Sequence, residues 1–417
     1  MTQGGGLLQL VAQGKQDIFL TGNPQVTWFK MVYRRYTNFS IESQVIPFDN
    51  QTEFGRRITV LLPKKGDLLG SLWLEIQLPA ITDSVTKLPI PYTNAVGHAL
   101  IQEVSIEIGE QEIDKQTGEW MELWSNYTIS QDKVQAWNTM IGKVAGSTNT
   151  DGLLGPLYLY VPLRFWFCKN PGLFLPLLAL QYHPIRLNIT LRPLQQLFSV
   201  TNPTVNPCDQ TVNTVSMINM QMYGDFVHLG TDERRRFVAN SHEYLIEQVQ
   251  YTPSISVDPT ASVIQVPMEF NHPLRELFWM VQRNAAVIAN QWFNYTSLAK
   301  TETGTPANLI TTSLLRIEGY DRFDIRYADY FRLVQPYQYH TAIPINNYTY
   351  SYSFAIKPED VQPSGSMNAS RLDTINLQLQ FDNTVVPVRG GANVRIYGLN
   401  HNILRIVDGF GGLLFRI

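Results

Sequence analysis

Charged residues are scarce in this sequence. Asp, Glu, Lys and Arg make up 16% of its 417 residues, against about 25% in an ordinary soluble chain. A monomer of this size normally covers its surface with charge. The shortage therefore predicts that neighbouring subunits cover much of that surface, because interface cores lose charge and gain Tyr, Trp, Phe and Met. A surface rich in Thr, Asn, Gln and Ser would explain the deficit without an oligomer. Cysteine is scarcer still: Cys168 and Cys208 cannot build a disulfide framework, although one bridge between them stays open and their redox state is not legible. There is no basic excess either. Lys and Arg total 32 against 35 Asp and Glu, for a net charge of -3, and the Arg runs at 34–35 and 234–236 are short. Direct contact with nucleic acid is not expected.

Long apolar runs are missing too. The most apolar stretch, "GPLYLYVPLRFWFCKNPGLFLPLLAL" at 155–180, is broken by Pro156, Pro162, Arg164, Lys169, Asn170 and Pro171, short of the roughly 18 residues of a membrane span. The opening "MTQGGGLLQL" has neither a basic start nor an adequate apolar core, so no secretory leader is expected. Catalytic signatures are absent: no G-x-x-x-x-G-K-[ST], H-E-x-x-H, G-x-S-x-G or strand-linked G-x-G-x-x-G. His98, His183, His228, His242, His272, His340 and His401 lack metal-ligand spacing. The neighbouring carboxylates Asp321 and Asp324, or Glu359 and Asp360, read as exposed loop residues. Neither an enzyme nor a cofactor or metal is expected. Sequons at Asn38, Asn50, Asn126, Asn188, Asn294, Asn347 and Asn368 are weak glycosylation candidates, because the modification needs a secretory lumen to which nothing here points.

What the sequence does have is alternation. In "DLLGSLWLEIQLP", Leu68, Leu72, Leu74, Ile76 and Leu78 share one parity and Ser71, Glu75 and Gln77 the other, the two-residue repeat of a half-buried strand. Val104, Ile106 and Ile108 repeat it before a hairpin turn at Gly109 and Glu110, as do Leu187, Ile189 and Leu191. Helical patterns are few: 117–127, and 230–243 with Thr231 or Asp232 as N-cap. The blocks also recur in order. "VSIEIGEQEIDKQTGEWMELW" and "SLLRIEGYDRFDIRYADYFRLV" each read as strand, turn, short strand and aromatic helix. "PLRFWFCKNPGLFLPLLALQYHPIRLNITL" and "YSYSFAIKPEDVQPSGSMNASRLDTINLQLQF" each read as strand, Pro/Gly loop and strand. The first half adds a long loop, "GKVAGSTNTDGLLGP". The fold class expected is all-β, with two consecutive eight-stranded jelly-roll sandwiches and short helices in loops.

One stretch demands a partner. "TGNPQVTWFKMVYRRYTNFSIE" at 21–42 sets Trp28, Phe29, Tyr33, Arg34, Arg35, Tyr36 and Phe39 within a dozen residues. With the preceding "LLQLVAQGKQDIFL" it resembles the amino-terminal signature of the major capsid proteins of nucleocytoplasmic large DNA viruses, in particular the phycodnavirus-like ones. "YLIEQVQ", "NHPLRELFWMVQ", "DRFDIRYADYFRLVQPYQYHT" and "NILRIVDGFGGLLF" look like further family blocks, in the family's order.

The resemblance implies a double jelly-roll subunit of an icosahedral shell: a homotrimer forming a pseudo-hexagonal capsomer of the virion's outer capsid, assembled in the host cytoplasm. Its implied partners are neighbouring capsomers, a pentameric vertex (penton) protein, and minor capsid proteins and an internal membrane beneath the shell. The expected layout is an arm at 1–25, a first jelly roll at 26–223, a linker with a short helix at 224–240 and a second jelly roll at 241–417. Leu7, Leu8, Leu10 and Val11 would anchor an irregular arm, freed by Gly4 to Gly6. Trp28, Phe29, Tyr33, Arg34, Arg35 and Tyr36 would pack the base of the first barrel and its neighbours, with simple core packing an open alternative for Trp28 and Phe29. The rival reading is a carbohydrate-binding β-sandwich.

Overall fold

The computed structural model describes residues 4–146, 151–199, 212, 219–299, 302, 304–382 and 390–415; Cys208 and part of the 142–156 loop lie outside them. The chain divides into two compact units, Met1–Asn38 and Phe39–Ile417. The first carries two short helices, α1 (Gly5–Val11) and α2 (Lys15–Thr21), so Gly5 and Gly6 are helical and not part of an irregular path. The Asp17 carboxylate accepts the Gly14 N–H at 2.7 Å and caps α2. At seven residues each, these helices fall below the ~12–15 at which an isolated helix holds in water, and no side chain on either is buried.

The second unit holds two β-sandwiches in succession. The first is built from β1 (Phe39–Ile46), β2 (Arg57–Leu61), β3 (Leu68–Leu78), β4 (Ile101–Ile108), β5 (Gln111–Thr117), β6 (Leu157–Pro162), β7 (Ile185–Leu191) and β8 (Asn219–Leu229). Its sheets run β1-β8-β3-β6 and β2-β7-β4-β5. The second is built from β9 (His242–Tyr251), β10 (Val263–Pro267), β11 (Pro273–Arg283), β12 (Ile310–Ile317), β13 (Tyr320–Asp321), β14 (Tyr350–Ser353), β15 (Ile375–Phe381) and β16 (Ala392–Val407). Its sheets run β9-β16-β11-β14 and β10-β15-β12-β13, with short extra strands attached. The two orders are the same strand for strand, and both are jelly rolls. The repeat in the sequence is this repeat of structure.

Local chemistry explains the elements. On β3, Leu72, Leu74, Ile76 and Leu78 are buried and the residues between them half-exposed, as alternation requires; a bulge opposite Gly224 and Phe226 also turns Leu69 inward. The hairpin β4–β5 turns on Gly109 (φ 58°) and Glu110 (φ 69°), and β12–β13 on Glu318 (φ 52°) and Gly319 (φ 79°). Paired positive φ marks the hairpin turn whose twist suits antiparallel strands. Inward residues build one core per sandwich, around Leu74, Ile106 and Ile189 in the first and Val281, Leu315 and Leu377 in the second.

Three expectations are corrected. Strand β1 begins at Phe39 and the first unit runs to Asn38, so the expected division at 25/26 falls inside that unit. The division at 223/224 falls inside β8, which pairs with β1 and β3 up to Leu229 and Val227. The helix that follows, α4 (Thr231–Ala239), is N-capped by Gly230, not by Thr231 or Asp232, and it stops before β9. The earlier helix, α3 (Gly118–Thr128), lies where the pattern put it; Thr117 Oγ1 accepts the Trp120 N–H at 3.2 Å.

Candidate assembly interface

The sandwiches are joined by a seam that α3 builds. Thr117 caps the helix, and Met121 drops into the first core. That leaves Trp120, Leu123, Trp124 and Tyr127 facing out, at the i, i+3, i+4, i+7 spacing of one helix stripe. They pack on Phe278, Met280, Tyr397 and Leu399, the outer face of β11 and β16, in a buried cluster separate from both cores. Fully burying each such side chain is worth roughly 1.5–3 kcal/mol. Domains joined through small polar contacts move relative to one another by default; a large apolar seam suppresses that motion. Thr117 and Tyr397 share a hydrogen bond of 2.7 Å, Tyr127 and Thr349 one of 3.1 Å, and the Asp114 carboxylate accepts the Val249 N–H at 3.0 Å.

Buried charge runs through the seam. Glu247 accepts from Lys169 of the first sandwich and, at 2.6 Å, from Arg275 of the second. Burial alone would raise this carboxyl, but the two cations outweigh it and hold it at about 2. Glu119 is bridged in the same way, by Arg192 of the first sandwich and, at 3.7 Å, by Arg395 of the second. His340 lies 2.9 Å from Glu276 and 3.1 Å from Glu359. Burial pulls this imidazole down, yet the two carboxylates carry it up to about 9. The Glu359 contact is a hydrogen bond through the ring's Nδ1. Glu359 is therefore not the free loop carboxylate the sequence suggested; it also accepts from Thr341 N at 2.9 Å. A buried pair is costly to break, because removing one partner leaves an uncompensated charge.

This geometry packs two similar sandwiches against each other through a buried seam. Residues 27–230 match the family described as major capsid protein N-terminus, and residues 233–412 the family described as large eukaryotic DNA virus major capsid protein. The chain belongs to this capsid protein family. It is 34% identical to the major capsid protein of Phaeocystis pouchetii virus, across 99% of both chains. It is 36% identical to that of Pyramimonas orientalis virus, again across 99% of both. Among solved structures it resembles PBCV-1 VP54 with a TM-score of 0.78 at 30% identity, covering 94% of this chain and 100% of that one. The Faustovirus major capsid protein, at 12% identity and TM-score 0.76, shares the fold. These matches do not favour the carbohydrate-binding alternative.

The contact residues expected from the sequence all lie in the first unit, Met1–Asn38. Leu7, Leu8, Leu10, Val11, Tyr33 and Tyr36 are exposed, Trp28 at 92% and Phe29 at 98%; Arg34 and Arg35 are exposed too. Trp28 and Phe29 both precede the first strand, which starts at Phe39. Among the sequons, Asn38, Asn50 and Asn368 are exposed, Asn126 and Asn347 half-buried, and Asn188 and Asn294 buried. The Asn294 amide donates to Gln291 Oε1 and to the Leu298 carbonyl, leaving no room for a glycan. Sequence reasoning missed Glu119, Glu247 and Glu276. The available signal was their position: charged residues inside the apolar runs "GEWMELW", "YLIEQV" and "LRELFW" have to be paired.

Proposed function

We propose that this protein is the shell-forming subunit of an icosahedral virion, assembling as a homotrimer whose six similar sandwiches give a near-hexagonal outline. The observation that carries this reading is the identical strand order of the two sandwiches joined at a desolvated seam. A trimer can tile like a hexamer only if its two blocks are alike in shape and fixed in angle. Closed symmetric assembly then repeats a single contact around the ring. The neighbouring capsomers are further copies; a vertex protein, minor capsid proteins and an internal membrane complete the shell. The net charge of -3 suits a protein that does not touch nucleic acid. Its role is structural, not catalytic, and its place is the outer capsid, after assembly in the host cytoplasm. Light scattering of the purified chain at micromolar concentration tests the reading. A trimer mass is expected, and a monodisperse monomer would overturn it.

A further inference from the structure

The two sandwiches meet as a knob and a socket, and each chain carries a second knob and a second socket that stay open. The filled socket is the outer face where Phe278 lies opposite Tyr397, both fully buried. Register locates its counterpart on the first sandwich, where Trp73 lies opposite Tyr223. One residue along from each pair, a leucine faces a glycine: Leu72 with Gly224, and Leu277 with Gly398. Both glycines make room for a core leucine. A Cβ on Gly224 would stand 3.0 Å from Leu72, and one on Gly398 2.9 Å from Leu274.

Among the described residues from Phe39 on, this second socket is left partly open. Trp73 and Tyr223 stack at 6.0 Å but are only half-buried, and Tyr160 beside them is exposed. A cavity of about 720 Å³ opens there, lined by Trp73, Tyr160, Trp137 and Arg164 among others. Two buried nitrogens of Arg164, Nε and Nη2, have no hydrogen-bond partner among the described residues.

The second knob follows β13, as α3 follows β5. Met121 is inserted in the first core and Phe331 in the second, both fully buried. Counted by position from these anchors, Trp120, Leu123, Trp124 and Tyr127 correspond to Tyr330, Leu333, Val334 and Tyr337, with Tyr330–Val334 wound as a π-helix and Gln335–Tyr339 as an α-helix. The first four are buried at the seam. Their counterparts are not: Val334 is 38% and Tyr337 76% exposed, and Tyr330 and Leu333 are half-buried.

We infer that the helical segment 330–339 of one copy seats on the Trp73–Tyr223 face of the next, repeating between copies the contact α3 makes within one. Tyr127 meets Phe278 edge to face, 5.1 Å from ring centroid to ring centroid, so Tyr337 meets Trp73 of the neighbouring copy in the same way. The contact is head-to-tail, and a ring closes it. This inference rests on the self-assembly reading and names the surfaces that reading needs.

A complementation experiment tests it. One variant carries Val334→Glu with Tyr337→Glu, and the other carries Trp73→Glu. Light scattering at micromolar concentration is expected to show wild-type trimers and each variant alone as a monomer with an unchanged circular dichroism spectrum. An equimolar mixture should stop at dimers, because one intact knob and one intact socket remain. Variants that stay trimeric beside a trimeric wild type would overturn the knob-and-socket assignment alone. A monomeric wild type would overturn the assembly reading beneath it. Tyr337 is exposed, so its variant does not disturb a core. If Trp73→Glu fails to fold, the mass of the Val334/Tyr337 variant decides by itself.

Discussion

Trp120 and Tyr397 stand 5.5 Å apart, ring centroid to ring centroid, across the join between the two sandwiches. Trp120 also stacks on Trp124 at 5.5 Å and meets the edge of Phe278 at 5.6 Å. Its ring belongs to neither core; it holds the two together. Trp120→Ala is expected to cost about 3–5 kcal/mol, the range for a buried large aromatic. The loss should also uncouple the sandwiches, so that calorimetry resolves two transitions where the wild type shows one. A single transition, lowered by less than about 1 kcal/mol, would mean that the join does not depend on this ring.

Glu247 makes the seam sensitive to acid. Its carboxyl titrates at about 2 in the fold against an ordinary 4.5. A depressed carboxyl contributes stability that is fully present above its unfolded pKa and lost as pH falls through the folded one. The window is therefore about pH 4.5 down to 2. Buried Asp114 works the other way: burial raises it to about 6, so the difference between wild type and variant is the quantity to read. Glu247→Gln should be less stable by about 3–5 kcal/mol at neutral pH, because Lys169 and Arg275 lose the charge between them. That gap should narrow on acidification through the window, as followed by urea titration.

His340 gives the opposite limb. Its pKa rises from 6.5 to about 9 in the fold, so its contribution is complete below about pH 6.5 and lost as pH rises through 9. Once the imidazole is neutral, Glu276 is left fully buried with no hydrogen-bond partner among the described residues. Tyr127 packs against the imidazole, 4.8 Å from ring centroid to ring centroid. His340→Gln should lower stability at pH 7 and flatten the fall between pH 7 and 9. Denaturant melts at the two pH values check it; an unchanged alkaline slope would exclude His340 as its source.

The strands were legible because alternation is local: Leu72, Leu74, Ile76 and Leu78 can be read within one window, and the buried face of β3 is theirs. The repeat was legible because turn and anchor recur, Gly109–Glu110 and Glu318–Gly319, then Met121 and Phe331. The boundaries were not. Strand β8 closes the first sandwich from far along the chain by slotting between β1 and β3, and no local pattern marks a strand's partner. The aromatic cluster at Trp28 and Phe29 has a related limit: composition shows that a side chain needs cover, not which molecule supplies it. The charged seam was hidden because Glu247 meets Lys169 from 78 positions away.

The arm should serve the shell and not the subunit. Leu7, Leu8, Leu10, Val11, Ile18 and Phe19 are exposed on helices too short to hold by themselves. Ordering them costs roughly 1–2 kcal/mol per residue, and burial against a partner returns roughly 1.5–3 kcal/mol for each large apolar side chain. The totals are comparable, so order follows contact. Deleting residues 2–20 removes no buried side chain among the described residues and should change stability by no more than about 0.5 kcal/mol, as for surface changes elsewhere. Trimers should form at normal yield while particle yield falls, as read by light scattering and electron microscopy of the same preparations. Loss of the trimer would place the arm within the capsomer, and normal particles would leave its apolar face without a role in assembly.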